Sequence, residues 1–246
     1  MKKKYENIND LRKKFINIQG NIKNKKKSIK IINTLLENKH TYLFDWLGIP
    51  IIQFPNDIIV MQELIYKIKP KYIIECGVAH GGMLVFYATI LNLLNIKKHK
   101  VIGIDIEIRP INKRRIIKSG FYKNIDLFET SSTDEKLFDK LKNKYNLKNE
   151  RKIVVLDSNH TKEHVFNELN FYSKFLKKGD YIVVMDTIIE LINPKFNKQK
   201  AFKKGNSPYN AVDLFLKNNK NFIIDNYYEN KSFLTNMRNG FLKKIK

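Results

Sequence analysis

A chain of 246 residues, 43% of them hydrophobic, can bury one sizeable core, which excludes a disordered polymer and removes any need for disulfide staples. Cysteine occurs once, at Cys76, so no intrachain disulfide can form, and this usage fits a cytoplasmic protein. The net charge of +23 attracts acidic partners, but lysine far outnumbers arginine beside abundant asparagine and isoleucine, which an AT-rich coding sequence also produces.

Met1 to Lys4 is basic with no apolar run behind it, so no signal peptide is expected. No apolar stretch approaches the roughly 20 residues of a membrane span. Residues 1–45 read as a helical, basic extension. Ile8, Leu11, Phe15, Ile18 and Ile22 recur at spacings of three and four, and Ile29, Ile32, Leu35 and Leu36 begin a second stripe. Lys23 to Lys27 reads as a solvated turn between them. Such a stripe either packs on its own domain, the reading preferred here, or lies on an anionic membrane surface.

From Lys71 a βα rhythm sets in. KYIIECG at 71–77, KVIGIDI at 100–106, IDLFET at 125–130, KIVVLDS at 152–158 and YIVVMDT at 181–187 are short, β-branched and almost continuously apolar. Runs of this kind fit parallel strands buried on both faces. Helical patterns at 82–95, 112–118, 134–145 and 162–176 separate them, and a further helix is expected at 207–216. Five βα units in succession imply an open parallel sheet. The end differs: 221–228 and 233–244 read as strands joined by only 229–232, an antiparallel hairpin. A parallel sheet finished by such a hairpin resembles the class I methyltransferase fold.

Ligands of open α/β sheets bind at the carboxyl ends of the strands. The first run ends in Glu75-Cys76-Gly77-Val78-Ala79-His80-Gly81-Gly82, where small residues let the backbone approach a ligand and the next helix points its N-terminus at it. Ala79 breaks the Gly-x-Gly-x-x-Gly pattern. Asp105 ends the second run, where an acid accepts hydrogen bonds from the ribose of an adenosine cofactor or caps a buried strand. Nicotinamide dinucleotides and S-adenosylmethionine both carry that ribose. Glu75 favours the second, because a carboxylate suits an amino or sulfonium group and repels a pyrophosphate. Ser131 and Ser132, after the third run, suit either an adenine contact or a helix cap. The fourth and fifth runs end in Asp157-Ser158-Asn159-His160 and Asp186-Thr187. Two carboxylates on adjacent strands can hold a divalent, magnesium-like cation, and a histidine beside them can take a proton from a hydroxyl. The H-x-x-E-H spacing from His160 to His164 is a decoy, since His160 precedes the regular helix.

Beyond these single signals, WLGIPIIQFPNDIIVMQELIYKIKPKYIIECGVAHGG at 46–82, GIDIEIRP at 103–110, SSTD at 131–134, VVLDSNHTKEHV at 154–165, YIVVMDT at 181–187, NAVDLFL at 210–216 and NGFLKK at 239–244 resemble the cephalosporin hydroxylase / rhamnosyl O-methyltransferase family. The resemblance covers about 46–246 and implies a class I methyltransferase domain there, S-adenosylmethionine as cofactor and a metal in several members. The expected cofactor set is Glu75, Gly77, Ala79, His80, Gly81, Gly82, Asp105, Ile106, Ser131, Ser132 and Asp157. Asp157 and Asp186 are the expected metal ligands and His160 the catalytic base. Met185 stands where some members carry a second acid, which leaves open whether Glu190 or water replaces it or the metal is weakly held or absent. An iron oxygenase is disfavoured, because no histidine is followed two residues later by Asp or Glu. The expected activity is O-methylation of a small molecule, a sugar or glycolipid hydroxyl. The alternatives are an RNA methyltransferase, motivated by charge but without an aromatic-basic module, a nicotinamide-dependent oxidoreductase, and a binding module without catalysis. No specific nucleic-acid partner is expected, and a homo-oligomer is left open.

Overall fold

The computed structural model describes residues 7–198 and 200–246, so the basic run Met1 to Lys4 lies outside the described residues. Two helices come first, α1 (Ile8–Gln19) and α2 (Ile22–Glu37). The break falls at Gly20-Asn21, where the Asn21 side chain accepts from the Asn24 amide and caps α2. Lys23 to Lys27 is therefore the first part of α2 and not a turn. The expected packing of the first stripe is also overturned: Ile8, Phe15, Ile18 and Ile22 stay exposed, and the buried residue of α1 is Ile16. The second stripe does pack, with Ile32 fully buried against Phe54, Ile188 and Ile192.

A short hairpin of β1 (Asp45–Trp46) and β2 (Ile49–Pro50) leads to α3 (Pro55–Ile68), which has Pro55 in its first turn. The repeating units follow as β3 (Tyr72–Cys76), α4 (Gly82–Leu93), β4 (Lys100–Asp105), α5 (Pro110–Lys118), β5 (Ile125–Glu129), α6 (Glu135–Lys144), β6 (Lys152–Leu156), α7 (Lys162–Tyr172) and β7 (Tyr181–Val184). The chain ends with α8 (Pro208–Asn218), β8 (Phe222–Ile224), α9 (Asn226–Ser232) and β9 (Phe241–Lys244). The seven-stranded sheet has the order β5-β4-β3-β6-β7-β9-β8. β3 to β7 run parallel, and β9 is antiparallel to both β7 and β8. Strands β3, β6 and β7 are buried along their whole length, as continuous apolar runs require.

The C-terminal antiparallel pair is present, but not as a tight hairpin. Residues 225–240 leave the sheet between its strands: Asp225 caps α9 by accepting from the Tyr227 amide, and a loop then returns to β9. That excursion carries Asn236 back to the carboxyl edge. The sheet order reverses between β3 and β6, which opens a crevice at their carboxyl ends.

Candidate active site

A cleft of about 830 Å³ runs along this edge, past Gly77, Asp105, Ile106, Ser131 and Ser132 to Asp157, His160 and Phe202. A smaller cavity of about 30 Å³ shares Gly77, Ala79 and Asp157 with it and is lined also by Glu75, His80, Gly81 and Gly82. Every expected cofactor residue thus faces one of two adjoining spaces. The joint between β3 and β6 is tight. Gly77 has φ +101°, and a Cβ there would lie 2.1 Å from the Asp157 carbonyl oxygen, so only glycine fits. Ala79 takes a left-handed conformation with φ 44°, held by Asn112, whose side chain donates to the Ala79 carbonyl at 2.7 Å.

Asp105 serves its own backbone as well as the cleft. One carboxylate oxygen accepts from Val78 at 2.7 Å, and the other from Glu107 at 3.2 Å. Asp105 therefore caps its own strand end and also lines the cleft. Glu75 is 1% exposed, and one oxygen accepts from the Tyr87 hydroxyl at 3.3 Å while the other has no partner. Burial above all, with the nearby Asp105 charge adding to it, pushes the Glu75 pKa up to about 8 against the Tyr87 hydrogen bond. A cationic ligand group would relieve that cost.

Ser132 turns inward. Its hydroxyl donates to Glu168 at 2.5 Å, as does that of Ser158 at 2.7 Å, and His164 Nε2 lies 3.0 Å from Ser132 Oγ. Glu168 is wholly buried, so one carboxylate ties the ends of β5 and β6 together beneath the cleft. Neither Ser131 nor Ser132 caps α6; Asp134 does so by accepting from the Lys136 amide.

At the other end of the cleft, ligand atoms of Asp157, His160 and Asp186 all lie within 4.8 Å of one another. His160 Nε2 is 3.2 Å from Asp186 Oδ2. Burial, then the charges of Asp186, Glu75 and Glu168, push the Asp157 carboxyl well above the usual carboxylate range. Two oxygen donors and an imidazole, converging on a site short of positive charge, fit a divalent cation. Met185 is packed in the apolar core and offers nothing. Glu190 is committed elsewhere, accepting from the Gly205 amide at 2.9 Å and the Ser207 hydroxyl at 2.8 Å. His160 is thus the group in position to complete the donor set. It does not join His164, which belongs to the Glu168 network, so the protease-like spacing has no shared site.

Three neighbours escaped the sequence reading. Phe202 stacks edge-on against the His160 ring at a centroid distance of 5.1 Å. Gln53 and Asn236 are buried beside the two aspartates. No periodicity marks them, since all three lie in loops. The Gln-x-Pro segment before α3 is the one signal the chain carries for them, as part of the family resemblance.

A parallel sheet reversed at its centre, an antiparallel C-terminal strand pair and a cleft across the reversal define a class I methyltransferase. The solved structures agree on the fold: a CmcI structure with magnesium and S-adenosylmethionine superposes with TM-score 0.59 at 20% identity, covering 83% of this chain and 78% of that one. Residues 38–245 match the family described as Rhamnosyl O-methyltransferase/CmcI, and the chain belongs to it. The rhamnosyl O-methyltransferase of Mycobacterium tuberculosis (strain ATCC 25618 / H37Rv) is 29% identical over 214 residues, 85% of this chain and 79% of that protein. That of Mycobacterium leprae (strain TN) is 26% identical over 203 residues, 80% and 81% of the two chains. The chain is an S-adenosylmethionine-dependent methyltransferase.

Proposed function

We propose that the protein transfers the methyl group of S-adenosylmethionine to a hydroxyl of a sugar or glycolipid, at the Asp157–His160–Asp186 end of the cleft. The observation that carries this reading is the convergence of those three side chains at the cleft wall that Asp157 and His160 form, with the cofactor residues along the rest of the cleft. Family membership supports a sugar acceptor through the rhamnosyl O-methyltransferase relatives.

In the reaction, a bond forms between the acceptor oxygen and the methyl carbon while the sulfur–carbon bond breaks. S-adenosylhomocysteine leaves, and the hydroxyl proton must go to a base. His160 is proposed as that base. With its Nε2 toward Asp186, the ring presents Nδ1 as acceptor, and the carboxylate stabilises the imidazolium that results. Asp157 and Asp186 would hold a magnesium-like cation, which when bound lowers the pKa of a coordinated hydroxyl. Asp105 is assigned to the ribose and Glu75 to the positively charged end of the cofactor. The Phe202 ring packs edge-on against the His160 ring and lines the cleft beside it.

The same 4.8 Å grouping favours a second reading, with His160 as the third metal ligand in place of the acid absent at 185. One variant separates them. As base, His160→Ala lowers kcat by about 10²–10⁴-fold with metal and cofactor affinities retained. As ligand, it weakens metal binding as well. Full activity of His160→Ala on the true acceptor overturns both. Full activity in excess chelator removes the metal from the proposal.

Residues 1–45 are proposed as an extension and 46–246 as the catalytic unit. No helix among the described residues is long and apolar enough to cross a membrane. The exposed stripe of α1, flanked by Arg12, Lys13 and Lys14, supports peripheral contact with an anionic membrane that presents a glycolipid acceptor.

A further inference from the structure

Asp157 and Asp186 sit at the ends of neighbouring parallel strands, and their charges oppose each other. Something must hold them at a fixed distance against that repulsion. Gln53 Nε2 donates to Asp157 Oδ2 at 3.1 Å, and Gln53 Oε1 accepts from Asn236 Nδ2 at 2.9 Å. The same Asn236 Nδ2 donates to Asp186 Oδ1 at 3.2 Å. The hydrogen-bond pattern fixes both amide orientations, because each carboxylate needs a donor and Gln53 Oε1 can only accept. Gln53 is 3% exposed and Asn236 6%, so neither amide turns to solvent for other partners.

Asn236 is itself held through its backbone. Its backbone N–H donates to Asp57 Oδ2 at 2.9 Å. Its carbonyl accepts from Ile188 N at 3.0 Å and from the Thr187 hydroxyl at 3.2 Å. Those contacts grip the two residues that follow Asp186, whose backbone is left-handed at φ 55°. Asn236 therefore fixes Asp186 twice, through its side chain and through the turn behind it.

We propose that Gln53 and Asn236 form an amide bridge that sets the separation of the Asp157 and Asp186 carboxylates for a divalent cation. Both are positioning residues and need not touch the metal. The bridge has to be neutral and polar. A lysine or arginine would neutralise the pair and compete with the cation, while an apolar contact would let the carboxylates swing apart. The inference rests on the metal-binding reading of the two aspartates.

The test is Mn²⁺ binding to the full chain, read from loss of the free-ion EPR signal, with the melting shift on S-adenosylhomocysteine as a check of folding. Wild type binds Mn²⁺, and Asp186→Asn loses binding. Gln53→Met and Asn236→Leu each weaken Mn²⁺ affinity by about 10–100-fold, the usual loss when an outer partner of a metal ligand is removed. The melting shift of Asn236→Leu, which lines neither cofactor space, stays close to wild type. Because the two amides act as one bridge, the double variant is little weaker than the worse single one. If both single variants fold and bind Mn²⁺ as wild type does, the bridge is overturned while the metal site stands. A double variant whose losses simply add overturns it too. No Mn²⁺ binding by wild type, or unchanged binding by Asp186→Asn, overturns the metal reading and the bridge with it.

Discussion

The two ends of the cleft are built from different materials. On the β3–β4–β5 side the walls are backbone amides, small residues and hydroxyls around the buried Glu75 carboxyl, and the Asp105 carboxylate is already partnered by three backbone N–H groups. On the β6–β7 side the walls are charges: two aspartates and a histidine within 4.8 Å, with a buried amide pair behind them. The first side suits a ligand bound by shape and hydrogen bonds. The second stores unbalanced negative charge, which a cation and a proton-accepting histidine can use. The assembly of the two sides differs as well. The first is made by consecutive βα turns, whereas the second needs Gln53 from before α3 and Asn236 from before β9.

The largest effect is expected where the sides meet. Gly77→Ala must place a Cβ against the Asp157 carbonyl while holding φ at +101°. It should lose about 3 kcal/mol or more of stability in denaturant unfolding, since strain and overpacking add. Cofactor and metal binding should fail together. A folded Gly77→Ala that loses only one of them would mean that the two sides are less coupled than this contact implies.

Separation of the sides is tested by Asp105→Ala. Calorimetry should show S-adenosylmethionine binding weakened by about 1.5–3 kcal/mol, the scale of hydrogen bonds to a charged group. Mn²⁺ affinity should stay as in wild type. Unchanged cofactor affinity in the folded variant would take Asp105 out of the cofactor site and leave it as a strand cap alone.

The smallest effect concerns Asp57, which anchors the loop that delivers Asn236. Burial pushes its pKa up to about 6, against hydrogen bonds that lower it. The fold thus prefers the protonated acid. The Ser232 hydroxyl has one proton and two acceptors near it, Asp57 Oδ1 at 2.8 Å and the Leu234 carbonyl at 3.0 Å, so a protonated Asp57 completes the set. The sign follows: stability from this group is complete below about pH 4 and is lost as pH rises through about 6. The slope is at most about 1.4 kcal/mol per pH unit. Asp57→Asn mimics the neutral form and should flatten that part of the stability curve. An identical slope in wild type and variant would assign it to another group.

How much of this was readable before folding varies with distance along the chain. The five parallel strands showed as apolar β-branched runs, and their terminal residues Gly77, Asp105, Asp157 and Asp186 could be placed because a strand's end is fixed by its own sequence. The α1 stripe misled, because periodicity reports an amphipathic face but not which neighbour covers it: Ile16 found the core and Phe15 did not. The C-terminal hairpin was right in its antiparallel pairing and wrong in its connection, since Tyr227 and Tyr228 extend the Phe222–Ile224 run in sequence yet belong to a helix capped by Asp225.

The sequence by itself determined the sheet, the glycine turn and the identity of the acids at the strand ends, because each is a local property of backbone sterics and apolar periodicity. Tertiary structure decided the rest. His160 could be a base beside the acids or a partner of His164 until the loop after β6 brought its ring to Asp186. Glu190 could be a ligand until Gly205 and Ser207 took its carboxylate. Gln53 and Asn236 are 183 residues apart and meet at 2.9 Å, in a contact that neither neighbourhood predicts. Side-chain hydrogen bonds of that range are specified by the packing of whole elements, and only the folded chain supplies it.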